Sequence, residues 1–553
     1  MKKTIYITDL DSAGAMDFLL KSTSYHGFEL PEYFDFDEIL KFVKQRIGDK
    51  AYDDCINSIG PAEVDNVNFD IMLNKDGKYA VRPLMLCNPY LYYFLAREIC
   101  GKDNWDTIRE HFRSCRSAHI TSCAIPVIPN KNEKFHKSTT ILNWWNLMEQ
   151  RSIELSLEYR YMFVSDITNC YGTVNPSTID WALSRKSTKV ATDSNHKIAA
   201  NIMRYLCDFQ QGKNIGIPQG SMVFDIIGEI ILSYSDLLFY EALERADISD
   251  GYEVLRYRDD YKIFCNDKDK LESISYILQD VLESLNFRMN STKTFISDSI
   301  ITDAIKPDKL FYIFNTPIFN KKGCDFDGLQ KHLLYILMFS RKYPNAGQLR
   351  TMLNNFDDRV RDMLEEPSSN DKDSALEDIL LGLPKSKQKK ESVVVGKIYE
   401  NIRAMCAITT QIAAENLSVV HYALKVISRM TSSMKNTDDR DDIIKKVYHK
   451  LVNQPNSTYS KLWLQNMTYN YDVAHNDHSK YDVRLCKIVM GESVELWNNS
   501  WLKPELLKGF AATSVVNKKT LGKVTPIITF RERRQYWDGL DDDIIDAILA
   551  EHR

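Results

Sequence analysis

The chain has 553 residues, 44% of them hydrophobic and 27% charged, and its formal net charge is −5. This composition is typical of a folded protein of about three or four domain-sized units, and the mild acidity argues against nucleic-acid binding by bulk positive charge. Because no run of about 18 apolar residues is present, no membrane span is predicted. Aspartates interrupt any signal peptide near the start, and 11 scattered cysteines suit the reducing cytoplasm, which is the expected location.

The segment up to about residue 135 mixes short helical and extended pieces. The stretch 34–47 has apolar residues at helical spacing, with acidic side chains early and basic ones late, as the helix dipole favours. The stretch 138–158 predicts a long helix that begins at Ser138, since serine favours the position that caps a helix.

Strands and helices alternate in residues 161–325. The predicted elements, in order, are a strand at 159–167, a helix at 175–185, a long buried helix at 219–243, a hairpin at 254–264, an amphipathic helix at 267–285, a strand and turn at 287–296, and a short aromatic strand at 309–315. Residues 326–553 are almost wholly helical in pattern, as at 411–430 and 441–452. A polar segment, about 365–392, is expected to be an exposed loop or disordered.

Three aspartates stand out in the region of alternating strands and helices. Asp259 and Asp260 are adjacent in the predicted hairpin VLRYRDDYKIF, and Asp166 ends the strand in YMFVSDI. Asp is common in turns, but adjacent carboxylates repel each other unless a cation lies between them. Hard divalent cations take oxygen ligands, and two such ions can activate an attacking hydroxyl and stabilise a leaving pyrophosphate. A simple turn and a metal site both remain open on this pattern alone.

A glycine-containing segment, GIPQGSM, leads into the long buried helix. Its glycines would let the backbone approach a ligand closely, and the helix N-terminus offers N–H groups to an anion. A structural loop before a helix would look the same, so this segment by itself does not decide between the two.

The order of these segments is more specific than any one of them. SDITNCY, GIPQGSM, YRDD and LNFRMNSTKT resemble successive palm motifs of the reverse transcriptases, and LFYIFN is similar to the short grip that follows them. The resemblance implies an N-terminal extension and fingers at 1–160, a palm with an antiparallel sheet at 161–325, and an all-α, repeat-like domain at 326–553. It implies an α+β fold and a nucleotidyltransferase of the RNA-directed DNA polymerase type.

The resemblance assigns roles to the matching residues. Asp166 and Asp259 would be the main ligands of two Mg²⁺ or Mn²⁺ ions, with Asp260 as the supporting carboxylate and Ile167 adding its carbonyl oxygen. Tyr171 matches the aromatic gate that collides with a ribose 2′-hydroxyl and so favours dNTPs, although an ordinary core aromatic would look the same.

Other matching residues concern the nucleotide. Gln219 and Gly220 would line the nucleotide and template pocket. Lys293 would stabilise or protonate the leaving pyrophosphate, although a solvated surface lysine is an equally good interpretation. Arg82 is the candidate for contacting the triphosphate from the fingers.

Arg258 departs from the family, which more often has a small or apolar residue before the two aspartates. A guanidinium there would touch the primer backbone or fill space normally held by a template strand, so Arg258 and Tyr257 are assigned to primer and template. The departure argues against ordinary processive copying.

The stretch 18–40, the segment around Asp166 and the helical region look similar to bacterial abortive-infection and defence-associated reverse transcriptases. Some members of that branch polymerise DNA without a conventional template, and some prime from a protein hydroxyl. The resemblance implies antiphage defence, with dNTPs and single-stranded DNA or RNA as partners and no membrane. It leaves open whether a noncoding RNA accompanies the chain and serves as a template, and whether the chain forms a homo-oligomer.

Two other functions also stay open. An RNA polymerase could use the same palm, although Tyr171 argues against it, and a phage-sensing binding protein could carry a non-essential palm. A weaker signal is the arginine- and aromatic-rich stretch 528–537, which suits single-stranded nucleic acid or a solvated helix face.

A further weak signal concerns metal binding. His111, Cys115, His119 and Cys123 follow one another at four-residue steps, which on a continuous helix would place them along one face. The usual spacing of zinc ligands is absent, and the nearby Pro126 indicates that the helix ends.

Overall fold

The structure is a computed structural model that describes residues 4–74, 81–128, 143–184, 193–315, 326–364, 402–432, 434, 436–477 and 479–521. It is a mixed α+β chain in which helices predominate. The strands are β1 (Phe69–Asn74), β2 (Val81–Leu86), β3 (Ile120–Ser122), β4 (Tyr161–Asp166), β5 (Tyr252–Tyr257), β6 (Asp260–Cys265) and β7 (Phe295–Ser297). The helices are α1 (Ser12–Leu19), α2 (Ser22–Tyr25), α3 (Asp37–Ile47), α4 (Tyr52–Cys55), α5 (Pro89–Cys100), α6 (Lys102–Ser114), α7 (Arg151–Leu155), α8 (Cys170–Thr173), α9 (Ser177–Leu183), α10 (Asp193–Phe209), α11 (Met222–Arg245), α12 (Lys268–Ser284), α13 (Ile300–Ala304), α14 (Pro307–Asn315), α15 (Phe326–Lys342), α16 (Gln348–Leu364), α17 (402–415), α18 (Val420–Ser432), α19 (Thr437–Val452), α20 (Thr458–Ala474), α21 (Arg484–Val489), α22 (Pro504–Leu507) and α23 (Lys518–Leu521).

A five-stranded sheet of order β3-β5-β6-β4-β7 forms the centre of the region predicted to alternate strands and helices. β4 is antiparallel to both β6 and β7, β5 and β6 form the predicted hairpin, and β3 is parallel to β5. Alternate side chains point to opposite faces of a sheet. Tyr261 and Ile263 accordingly join the main core, whereas Leu255 and Phe264 join a second apolar cluster on the other face. Both faces of the hairpin are therefore covered.

The last described part of the chain packs against the N-terminal region. The Trp497 indole donates to the Leu86 carbonyl at 3.1 Å, and the Tyr90 hydroxyl donates to the Leu506 carbonyl at 2.7 Å. β1 and β2 form a separate two-stranded antiparallel sheet, in which Phe69 lies opposite Leu86. Distant parts of the sequence thus share one core around the N-terminal helices.

The predicted strand at 309–315 is wrong, because these residues form helix α14. Pro307 occupies the first turn, where a missing N–H costs nothing, and Asp308 complements the helix dipole there. Phe311 packs on Phe339 of α15, with 5.9 Å between ring centroids. Aromatic residues in this stretch therefore stabilise a helix–helix contact and not a sheet.

The predicted helix at 411–430 is broken in two. α17 ends at 415, a 3-10 turn covers Leu417–Val419, and α18 begins at Val420. Asn416 is fully buried between them; its side chain donates to the Ile412 carbonyl at 3.0 Å and accepts from the Asn345 amide at 2.8 Å. The tertiary bond from Asn345 and the local bond to Ile412 hold the Asn416 side chain where a sequence that favours a continuous helix is interrupted.

The other helices and strands predicted between 159 and 296 are confirmed, with bounds that differ by a few residues. A π-helical turn, Trp145–Gln150, precedes α7 within the predicted long helix at 138–158. The predicted cap Ser138, the polar segment 365–392 and the stretch 528–537 lie outside the described residues. Among the residues that are described, no helix is long and apolar enough to cross a membrane.

Candidate active site

The predicted carboxylates meet at one end of the five-stranded sheet. β4 ends at Asp166, which lies directly opposite Asp260, the first residue of β6. Asp260 lies in turn opposite Tyr257, the last residue of β5. Directly opposed residues of antiparallel strands project to the same face, so these three side chains share one face of the sheet. The turn of the hairpin consists of Arg258 and Asp259, and the second aspartate already belongs to a strand.

Backbone and side-chain contacts hold this turn beside β4. Arg258 has a φ of 55°, a conformation that residues other than glycine rarely adopt without support from their surroundings. Its carbonyl oxygen accepts a hydrogen bond from Arg256 Nη1 at 3.1 Å. The Asp259 carbonyl accepts one from the Ile167 amide at 3.0 Å. The turn is therefore tied directly to the residue that follows Asp166.

The electrostatics of the three carboxylates favour a cation. Burial, together with the negative charges of Asp259 and Asp166, raises the pKa of Asp260 to about 6. Asp166 is 8% exposed, and its Oδ2 accepts a hydrogen bond from Lys293 Nζ at 2.8 Å. Its buried Oδ1 has no hydrogen-bond partner among the described residues. A buried carboxylate oxygen without a donor is costly, and a bound cation would remove that cost.

The donor atoms fit Mg²⁺ or Mn²⁺, since both prefer carboxylate and carbonyl oxygens. Within the described ranges, however, no three acidic, histidine or cysteine side chains form a complete metal site. Lys293 Nζ lies 2.8 Å from Oδ2 of Asp166, so its ammonium neutralises part of the carboxylate charge.

Lys293 reaches Asp166 because the loop that carries it runs alongside the end of β4. The Asn290 amide donates to the Asp166 carbonyl at 2.8 Å, and the Thr168 amide donates to the Arg288 carbonyl at 2.8 Å. The Lys293 side chain is half exposed, so its ammonium is open to solvent as well as to the carboxylate. The fold therefore brings the predicted lysine to the carboxylates.

The GIPQG segment packs between α8 and β2. A Cβ on Gly216, whose φ is +71°, would lie 3.0 Å from the Tyr171 carbonyl oxygen. A Cβ on Gly220, whose φ is +125°, would lie 2.9 Å from the Met85 carbonyl oxygen. The Gln219 carbonyl accepts a hydrogen bond from the Met85 amide at 2.7 Å. Both glycines are thus required by close packing of protein backbone, whether or not a ligand binds.

Two further predicted residues are connected to the site through their neighbours. Arg82 is exposed on β2, the strand whose Met85 contacts Gln219. Tyr257 packs edge-on against Trp144, with 6.3 Å between ring centroids. Arg82 therefore lies on the strand bonded to the GIPQG segment, and Tyr257 lies at the carboxylates.

Tyr171 is buried against the start of α11. Its hydroxyl donates to Asp225 Oδ1 at 3.0 Å, and burial together with the Asp225 charge raises the Tyr171 pKa well above its usual value. A Cβ on Gly228 would lie 3.1 Å from this hydroxyl, so the ring rests on the helix backbone. Arg258 Nη2 donates to Asp225 Oδ2 at 2.8 Å. The guanidinium thus bonds to α11, and its contact with primer or template stays a prediction.

A buried ion cluster behind the hairpin was missed by the sequence interpretation. Arg256 is fully buried; its Nε binds Asp236 at 2.8 Å, and its two Nη atoms bind Glu229 at 2.8 and 3.0 Å. The Tyr261 hydroxyl also donates to Asp236, at 3.3 Å. One signal could have revealed this cluster: Glu229 and Asp236 are two helical turns apart in the largely apolar middle of the helix, and so share one face.

The histidine and cysteine residues at four-residue steps do not share a helix face. α6 ends at Ser114, so only His111 precedes its end. Cys115 stays close to His111, with 3.7 Å between Sγ and Nε2, whereas His119 and Cys123 flank β3. No zinc site is formed by the histidines and cysteines that the structure describes.

No family model and no curated protein matches the chain. Among solved structures it is similar to apo telomerase from Candida tropicalis truncated from its C-terminal domain, with a TM-score of 0.28 and 14% identity over 48% of this chain and 56% of that one. The chain is also similar to telomerase from Candida albicans in complex with the TWJ fragment of telomeric RNA, with a TM-score of 0.28 and 11% identity over 74% of this chain and 67% of that one. The corresponding complex of telomerase from Candida tropicalis matches with a TM-score of 0.26 and 14% identity over 69% of this chain and 65% of that one. The chain thus spans just over half of the first of these structures. TM-scores this low do not establish a shared fold, and the function proposed below rests on the carboxylate geometry.

Proposed function

We propose that this chain is a DNA polymerase of the reverse-transcriptase type, a nucleotidyltransferase that adds dNTPs to a nucleic-acid 3′-hydroxyl or to a protein hydroxyl. The observation that carries the proposal is the opposition of Asp166 and Asp260 across two strands, with Asp259 in the adjoining turn. The buried, unbonded oxygen of Asp166 supports a cation at this point. The order of the sequence motifs supports the same function.

Asp166, Asp259 and Asp260 would hold two Mg²⁺ or Mn²⁺ ions, together with the carbonyl oxygen of Ile167. Bound there, the ions would activate the attacking hydroxyl and stabilise the leaving pyrophosphate. Lys293, whose Nζ lies 2.8 Å from Asp166 Oδ2, would stabilise or protonate that leaving group.

Roles for the nucleotide pocket are carried over from the sequence resemblance. Tyr171 would exclude a ribose 2′-hydroxyl, and Gln219 and Gly220 would line the pocket beside it. Arg82 would bind the triphosphate from β2, and Tyr257 would contact the primer next to the carboxylates.

A role in bacterial antiphage defence is supported by the sequence resemblance alone. The same holds for a cytoplasmic location, untemplated synthesis, a protein primer, an accompanying noncoding RNA and a homo-oligomer.

Sequencing the nucleic acid that copurifies with the chain separates the modes of synthesis. A homopolymer or random sequence attached to protein would indicate untemplated, protein-primed synthesis, whereas DNA complementary to a copurifying RNA would indicate template copying.

Incorporation of labelled dNTP with Mg²⁺ or Mn²⁺ tests the proposed activity. The double variant Asp259→Ala with Asp260→Ala should lose at least about 100-fold in rate, since removing even one preorganised electrostatic group commonly costs that much. A matched control exists in the same chain, because Asp53 and Asp54 are likewise adjacent and follow a tyrosine, but are exposed. Their replacement by alanine should leave incorporation nearly unchanged. Equal incorporation by wild type and the Asp259 and Asp260 variant would refute the proposal.

Competing functions predict different outcomes of related assays. An RNA polymerase would prefer NTPs when NTPs and dNTPs compete. A phage-sensing binding protein would still protect cells from infection after both hairpin aspartates are replaced.

A further inference from the structure

Asp225 links two residues that the sequence assigns to different parts of the site. One carboxylate oxygen accepts the Tyr171 hydroxyl at 3.0 Å, and the other accepts Arg258 Nη2 at 2.8 Å. Asp225 itself lies in the first turn of α11, directly after the GIPQG segment. The candidate sugar gate, the helix and the turn that carries Asp259 are thus joined through one side chain.

Tyr171 is held from two directions. Its hydroxyl is fixed by a charge-assisted bond to Asp225, and its ring lies against Gly228, where an added Cβ would be 3.1–3.4 Å from ring and hydroxyl atoms. Gly228 is three residues after Asp225, so both contacts come from one side of the same helix. The ring cannot rotate away without losing the bond to Asp225.

The turn is constrained by the same carboxylate. Arg258 adopts a left-handed conformation, its carbonyl is held by Arg256, and its guanidinium is held by Asp225. The Asp225 and Arg258 side chains are 26% and 37% exposed, which leaves the ion pair partly screened but not surrounded by water. Movement of Asp225 would therefore alter the position of the turn as well as that of Tyr171.

We infer that Asp225 is a positioning residue that sets the discrimination between dNTPs and NTPs, which deepens the proposed function and rests on it. A gate excludes a 2′-hydroxyl by steric collision only if its ring cannot yield, and the bond to Asp225 keeps the Tyr171 ring from yielding. The contact from Arg258 orients the Asp225 carboxylate and holds the Tyr171 ring and Asp259 in a fixed relative position. On this inference, Arg258 anchors the turn to α11.

The test compares kcat/KM for one dNTP and the matching NTP in wild type, in three single variants and in one double variant. Asp225→Ala removes both bonds and should lower the dNTP-to-NTP preference by about 10-fold or more, which is about 1.4 kcal/mol of discrimination. Asp225→Asn keeps an acceptor for Tyr171 but loses the charge, and should lower the preference less. Tyr171→Phe keeps the ring but loses the donor, and combining it with Asp225→Ala should lower the preference little further.

Glu244→Gln is the matched control, since Glu244 is exposed near the other end of the same helix, about 28 Å away at 1.5 Å per residue. It should leave the preference unchanged. If Asp225→Ala does not fold, as judged by circular dichroism, Asp225→Asn and Tyr171→Phe still decide the question.

The outcomes separate this inference from the proposed function. Suppose that the wild type prefers dNTPs and that every Asp225 variant keeps the same preference, with equal losses of kcat/KM for both substrates. This result would overturn the inference and leave the proposed polymerase function intact. A wild type that incorporates neither nucleotide would overturn the polymerase and the inference together. A lowered preference in the Asp225 variants, with Glu244→Gln unchanged, would support it.

Discussion

Replacing Arg256 by methionine should destabilise the chain more than any comparable surface substitution. The guanidinium is fully buried and bonds to both Glu229 and Asp236, so Arg256→Met leaves two carboxylates in the interior without their cationic partner. Breaking a buried ion pair from one side costs roughly 3–5 kcal/mol. With a urea dependence of about 2–3 kcal/mol/M, the midpoint of unfolding should fall by about 1–2.5 M. The carbonyl of Arg258 also loses its donor, so the turn that carries Asp259 should loosen.

Urea titration followed by far-UV circular dichroism measures this loss. The control is Arg341→Met, which removes an equally bidentate contact to Glu415 at the surface and should barely move the midpoint. Lower pH should reduce the loss of stability in Arg256→Met, because burial raises the Asp236 pKa and protonation then neutralises the unpaired carboxylate. The destabilisation should therefore be larger at pH 8 than at pH 5. Equal shifts for Arg256→Met and Arg341→Met would refute this reasoning.

Two more predictions concern backbone packing and acid stability. Gly220→Ala should destabilise the chain by roughly 1–3 kcal/mol, because the new Cβ would lie 2.9–3.0 Å from Met85 backbone atoms and the φ of this residue is +125°. Gly347→Ala is the control and should be neutral, because its new Cβ would have no atom within 4 Å. Thermal unfolding of both variants checks this, and similar melting temperatures would count against it. Burial, followed by the charge of Arg359, lowers the pKa of His332 to about 4, below the value near 6.5 expected of the unfolded chain. The contribution of neutral His332 to the free energy of unfolding should therefore be fully present above about pH 6.5 and fall by up to about 3 kcal/mol toward pH 4. Urea titrations at several pH values should show a weaker pH dependence for His332→Leu than for wild type. The same pH dependence in both proteins would contradict this prediction.

The question raised by the arginine before the two aspartates has a structural answer. Its side chain bonds to Asp225, and its backbone takes a left-handed conformation that places Asp259 beside the end of β4. The sequence assigned Arg258 to primer or template through its departure from the family pattern, and that contact stays a prediction. Only the tertiary structure brings the carboxylate partner, 33 residues earlier in the chain, next to Arg258.

Local pattern was sufficient for most elements between residues 159 and 296, because strand alternation, helical spacing and capping residues act over a few neighbours. It failed at 309–315, where aromatic residues that favour a strand pack as α14 against another helix. It failed again at Asn416, where a hydrogen bond from Asn345 interrupts a helical sequence. Contacts between residues far apart in sequence override propensity at both places.

By itself the sequence determined which residues are candidates for the chemistry: Asp166, Asp259 and Asp260, with Lys293 nearby, because motif order and residue type are local properties. The tertiary structure decided how these residues meet. Strand register placed Asp166 opposite Asp260, and the buried cluster around Arg256 supports the turn from behind. Such arrangements depend on pairing and burial between distant segments, whose energies are not contained in any short stretch of sequence.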